Sequence, residues 1–98
     1  MAFSIIHPRE IDGILKRQRA MVIDVREPDS YRKMHYPQAK NLPYDTIEQW
    51  MWQLPKKQAL ILYCDYGSTS LMAARKLGRE GYEVYTVIGG MDAMKKLW

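Results

Sequence analysis

Ala59-Leu60-Ile61-Leu62-Tyr63-Cys64-Asp65-Tyr66-Gly67-Ser68-Thr69-Ser70-Leu71-Met72-Ala73-Ala74-Arg75-Lys76-Leu77-Gly78 is the stretch on which the fold turns. Its first five residues are the most continuous apolar run of the chain. A run of that length, rich in branched side chains, predicts a central strand buried on both faces. Ser70, Ala73, Ala74 and Leu77 then fall on one helical face, so a helix is expected from near Ser70, with Gly78 and Gly81 as its stop. The arrangement is strand, short loop and helix N-terminus.

Working outward, the same alternation continues. Pro8 suits a first helical position and His7 is a weak cap before it. Ile11, Ile14 and Leu15 share a face, which predicts an amphipathic helix from Pro8 to about Arg19. Ala20 to Val25 reads as a second buried strand, and Pro28 to Lys33 as a single short helix. Tyr36-Pro37 and Leu42-Pro43 hold the next stretch extended. Asp45 with Glu48 resembles a capping box, ahead of the stripe Ile47, Trp50, Met51 and Leu54, which Pro55 ends. Glu83 to Ile88 is a further strand, Gly89-Gly90 a turn, and Met91 to Trp98 a final short helix. Strands alternating with helices predict an α/β fold: one mainly parallel sheet with helices on both faces, forming a single domain over residues 1–98.

Composition narrows the function. The chain has 98 residues, 47% hydrophobic and 27% charged, with 15 Lys+Arg against 11 Asp+Glu. These are ordinary globular values. The +4 net charge is scattered, and only Lys16-Arg17-Gln18-Arg19 is clustered, so no nucleic-acid partner is expected. No run is long enough for a membrane span, and Met1 to His7 lacks the basic and apolar regions of a secretory leader. A cytoplasmic location is the expectation. Cys64 is the only cysteine, which excludes an intrachain disulfide and a Cys-rich metal site. No metal and no cofactor is expected. Any chemistry at Cys64 must finish on another molecule.

Cys64 is the first residue after its strand, at the end where α/β sheets gather reactive groups. The first turn of the following helix offers unpaired N–H groups and a partial positive charge. Gly67 allows the intervening N–H groups to converge, and Ser68, Thr69 and Ser70 add hydroxyls. The position therefore favours an anion, whether a thiolate, an added sulfur or an oxyanion. Against this stands the plain alternative that a lone cysteine is an inert buried residue. His7 and His35 are read as structural, so no Cys–His dyad is assigned.

The segments Tyr63 to Leu77, Gly81-Tyr82 and Gly89 to Ala93 resemble those of the rhodanese (sulfurtransferase) domain. Val22-Ile23-Asp24-Val25-Arg26-Glu27 and His35 to Pro43 match that family's two other signatures in order and spacing, so the resemblance covers about Ile11 to Ala93. It implies a five-stranded parallel sheet and a Cys64 that carries a persulfide. Asp65, Tyr66, Gly67, Ser68 and Thr69 would form the substrate loop, their backbone N–H groups holding the anion. Asp24, Arg26 and Ser70 would lie behind it, Asp24 and Arg26 as a structural ion pair joining strand and loop. The implied partners are a small sulfur-donor anion or persulfide, and an external thiol or protein as sulfur acceptor.

Departures from the family pattern sharpen the expectation. Many family loops carry Arg where this chain has Asp65 and Thr69. One like charge ~5 Å from a bound anion costs about 3 kcal/mol before screening at an effective dielectric near 20. A persulfide or a protein-bound donor is therefore favoured over thiosulfate unless Asp65 turns outward. The related phosphatases use a longer loop closed by arginine. Here the loop is six residues long and Ser70 takes that place, so phosphatase chemistry is the weakest alternative. A non-catalytic interaction module of the same fold is the stronger one. Gln38 stands at a usual glycine and Met94 at a usual tryptophan. Trp52 is the one tryptophan of the Trp50-Met51-Trp52 run expected at the surface.

Overall fold

Every residue of the strand Ala59–Tyr63 is buried. Its side chains alternate between two cores: Leu60 and Leu62 enter one, Ile61 and Tyr63 the other. A strand can be apolar throughout only where both sheet faces are covered. The structure is a computed structural model describing residues 3–98. Met1 and Ala2, part of the stretch read for a leader, lie outside the described residues.

Five strands form one sheet: β1 (Phe3–Ile6), β2 (Ala20–Asp24), β3 (Lys40–Asn41), β4 (Ala59–Tyr63) and β5 (Val84–Val87). Their order is β1-β5-β4-β2-β3, and all four pairings are parallel. Four α-helices lie between them, α1 (Ile11–Arg17), α2 (Pro28–Lys33), α3 (Ile47–Trp50) and α4 (Ser68–Arg79), and a fifth, α5 (Gly90–Lys95), follows β5. Ile47 and Trp50 of α3 and Ala73, Ala74 and Leu77 of α4 cover one face of the sheet. Ile11 and Ile14 of α1 and Met91 and Met94 of α5 cover the other. The α/β architecture with both faces covered is as expected, and Trp52 is exposed while Trp50 and Met51 are buried.

Several boundaries move. Pro8–Glu10 is a 3-10 turn and the α-helix proper runs Ile11–Arg17, because Gln18 turns extended and ends it. The capping box forms at His7 and Glu10, not at Asp45 and Glu48. The His7 ring accepts from the N–H of Arg9 and the Glu10 carboxylate accepts from that of His7. Tyr44–Thr46, with Asp45 in it, is instead a 3-10 turn with no side-chain cap. Helix α4 begins at Ser68, two residues before the expected Ser70, since Gly67 takes the left-handed conformation that opens it. The last helix is Gly90–Lys95, so Gly90 belongs to it rather than to a turn.

Candidate active site

The loop between β4 and α4 folds its backbone onto the Cys64 sulfur. Gly67, at φ +115°, reverses the chain so that its N–H donates to Sγ at 3.1 Å. The N–H of Ser70 donates at 3.3 Å. Cys64 is 4% exposed and lines a cavity of about 330 Å³ with Val25, Arg26, Asp65, Tyr66, Ser68 and Thr69, among others. Of the N–H groups expected to hold the anion, Gly67 is one that reaches the sulfur; Ser70, expected behind the loop, is the other. Ser68 and Thr69 belong to the first turn of α4, whose N–H groups have no intrahelical partner.

Behind the sulfur lies a hydroxyl pair. Ser70 is fully buried, with Oγ 3.6 Å from Sγ. Its hydroxyl donates to the Gly67 carbonyl at 3.2 Å and accepts from Thr86 at 2.8 Å. Thr86 comes from β5 and was not singled out from the sequence. Its only signal is a polar residue at a buried position of a Val-rich strand. From the far side, the turn into α5 closes on the loop. The N–H groups of Met91 and Asp92 donate to the carbonyls of Cys64 and Asp65 at 2.7 and 3.0 Å.

Asp24 and Arg26 form the ion pair expected of them. Arg26 Nε reaches both Asp24 oxygens, at 3.0 and 3.1 Å, and a terminal nitrogen reaches one at 2.7 Å. Asp24 is fully buried and Arg26 is 8% exposed. Burial alone would lower the Arg26 pKa; the hydrogen bond and charge of Asp24 reverse that and hold it above its ordinary value. The same nitrogen donates to the Met34 carbonyl. The other terminal nitrogen lies 3.4 Å from Asp65. Asp65 is thus drawn toward Arg26, with its side chain 57% exposed. Asn41, also missed in the sequence, donates to the carbonyls of Asp24 and Arg26 and pins the exit of β2. Tyr63, whose ring lies against Arg26, has its phenol pKa pushed well up, chiefly by burial.

Neither histidine serves the thiol. His7 caps the first turn, and His35 Nδ1 lies 2.8 Å from the Tyr31 carbonyl. The arrangement is a cysteine sulfur held by backbone donors at the floor of an open cavity, with a hydroxyl pair behind it and an arginine-linked carboxylate beside it. The family profile described as Rhodanese-like domain matches residues 7–97.

The chain belongs to the rhodanese-like domain family.

Among its relatives in that family is the thiosulfate sulfurtransferase GlpE of Coxiella burnetii. That protein is 29% identical over 96 residues, 97% of this chain and 90% of the relative. The reduced CoADR-RHD of Bacillus anthracis superposes with a TM-score of 0.88 at 27% identity, over 98% of this chain. This chain spans only 17% of that longer protein. A rhodanese-like domain protein of Staphylococcus aureus gives a TM-score of 0.84 at 26% identity, covering 93% and 90% of the two chains. Among the described residues of this rhodanese-like chain, no helix is long and apolar enough to cross a membrane.

Proposed function

We propose that this protein is a sulfurtransferase in which Cys64 cycles between thiolate and persulfide. The observation that carries this is the convergence of the Gly67 and Ser70 N–H groups on Sγ, at 3.1 and 3.3 Å. Such donors stabilise negative charge on sulfur without a separate base. The open cavity admits a donor to the same atom, and the likeness to a named sulfurtransferase supports the reaction class.

In the first half-reaction the thiolate attacks the outer sulfur of a sulfane donor. The Sγ–S bond forms while the donor S–S bond breaks, and its electron pair leaves on sulfite or a thiolate. The new terminal sulfur sits at the mouth of α4, where the N–H groups of Ser68 and Thr69 are free to receive it. In the second half-reaction an external thiol takes that sulfur and Cys64 returns as thiolate. With one cysteine in the chain, the acceptor comes from outside it.

Incubation with excess thiosulfate or inorganic polysulfide should add one sulfur mass to the protein, reversed by cyanide and absent in Cys64→Ser. An unmodified wild-type mass under donor excess would overturn the proposal and favour the non-catalytic module.

A further inference from the structure

The wall of the Cys64 cavity contains three carboxylates, Glu27, Asp45 and Asp65, and one basic side chain, Arg26. All three acidic residues are exposed. Arg26 is not a free cation, because its guanidinium is engaged by Asp24, the Met34 carbonyl and Asp65. Asp24 is buried against it, so the pair brings no net charge to the cavity. Of the cations on flanking helices, Arg32 pairs with Asp29 and Lys76 with Glu48. Lys33 and Lys95, with Asp92, line an adjoining cleft that shares Arg26, Ser30, Asp65 and Tyr66 with the cavity, but they do not line the cavity itself. The wall of the Cys64 cavity is therefore anionic on a chain whose net charge is +4.

Two recognition elements then act at different depths. The backbone donors at the floor take any electron-rich sulfur, whatever it is attached to. The carboxylates at the rim act on what carries that sulfur, and a cleft lined by one sign of charge focuses its field on an approaching ligand. A dianionic donor is repelled on entry; a donor with a positive group near its sulfur is drawn in.

We infer that the Cys64 site takes sulfur from an organic persulfide bearing a cationic group close to the transferable sulfur, in preference to a small oxyanion such as thiosulfate. This rests on the Cys64 persulfide chemistry proposed above. The Cys64 thiolate attacks the outer sulfur of R–S–SH, and Sγ–S forms as the donor S–S bond breaks. RS⁻ departs, and the proton stays on the transferred sulfur. No external oxidant or reductant enters. Glu27, Asp45 and Asp65 are the specificity-determining residues.

The test compares the persulfides of cysteamine and of 3-mercaptopropionate, which differ in an ammonium against a carboxylate. Rates of sulfur loading on Cys64 are each normalised to the rate with free cysteine. The ammonium donor should be preferred by about tenfold or more at low ionic strength, and the preference should shrink as salt screens the rim. Glu27→Gln combined with Asp45→Asn should reduce it severalfold. A normalised ratio near one, or a preference for the carboxylate donor, overturns the inference. Failure of every donor, thiosulfate included, to load sulfur defeats the sulfurtransferase proposal instead. The rim is then judged by methanethiosulfonates with ammonium and sulfonate tails, which report the potential at the thiol without sulfane transfer. A cation preference on Cys64 above that of free cysteine supports the anionic mouth; one equal or lower overturns it.

Discussion

Gly90→Ala should damage both stability and the thiol site, although residue 90 touches no substrate in the proposed mechanism. Gly90 is buried at φ +55°. A Cβ there would lie 2.4 Å from the Cys64 carbonyl oxygen, 2.7 Å from the Asp65 carbonyl carbon and 2.8 Å from its oxygen. Ordinary contact begins at 3.4 Å, so the peptide leaving β4 must retreat by about 1 Å. These are backbone atoms and cannot rotate away. The same carbonyls hold the bonds from Met91 and Asp92 at 2.7 and 3.0 Å. A left-handed residue with a Cβ costs about 1 kcal/mol, and two weakened backbone bonds about 1 kcal/mol each. The expected loss is about 3 kcal/mol or more, read by urea unfolding. A shift of that size also carries Sγ away from donors now at 3.1 and 3.3 Å. Sulfur loading should therefore slow by about a hundredfold, in line with the effect of ångström-scale misplacement. Gly13→Ala is the matched control. In α1 its Cβ would meet only the movable end of Arg17, at 3.2 Å. Helix propensity there favours Ala by about 0.5–1 kcal/mol. If Gly90→Ala unfolds within 1 kcal/mol of the parent and loads sulfur at the parental rate, the contact between the α5 turn and the loop does not position the thiol.

Two further substitutions probe the frame around the site. Arg26→Met should cost about 3–5 kcal/mol, because it leaves the fully buried Asp24 carboxylate without its guanidinium partner. Adding Asp24→Asn should recover a large part of that loss in thermal unfolding; a double variant no more stable than the single one would show that the buried charge is not its cause. Gln38 is the one non-glycine residue with positive φ among the described residues, at 76°, and its side chain is exposed. Gln38→Gly should raise stability by about 0.5–1 kcal/mol, the relief of the left-handed strain less the added chain entropy of glycine. A lower unfolding midpoint would mean that the Gln38 side chain itself stabilises the turn.

What the sequence made legible is what depends on local pattern. The β4 run could be assigned as a buried strand because five successive apolar residues leave no polar face. The helix after Cys64 could be assigned because Ser70, Ala73, Ala74 and Leu77 repeat at helical spacing. Strand β1 escapes such reasoning: its burial runs from partly buried Phe3 through exposed Ser4 and Ile5 to buried Ile6, without alternation. It is a strand because it pairs with Val84–Val87 along the sheet edge. Strand β3 is two residues long and exists through its register with Ile23 and Asp24, too short for any period. The five-strand count came from the family resemblance, not from periodicity. At the site, Cys64, Gly67 and Ser70 lie within one local turn and were all singled out in the sequence. Thr86, Asn41 and Gly90 act on it across 15 or more residues of chain through hydroxyl, amide and packed backbone contacts, which no short window of sequence contains. The Arg26–Asp65 contact joins residues 39 apart, so the direction in which Asp65 would turn was not readable.

That division bears on what family membership says about substrate. The donors that hold the sulfur are main-chain N–H groups, supplied by a glycine conformation and the start of a helix. Exposed side chains at the rim can change without moving these donors, whereas the buried contacts that hold them, such as Gly90 against the Cys64 and Asp65 carbonyls, cannot. Glu27 lies between β2 and α2, and Asp45 lies in the 3-10 turn before α3, both with exposed side chains on surface connections, where change is tolerated. An Arg or Asp there alters neither the sheet nor the cradle, yet reverses the field a donor meets. The cradle at the sulfur therefore follows from the fold around Cys64, whereas on the inference above the preferred donor follows from the charges at Glu27, Asp45 and Asp65. Two proteins can agree in the first and differ in the second.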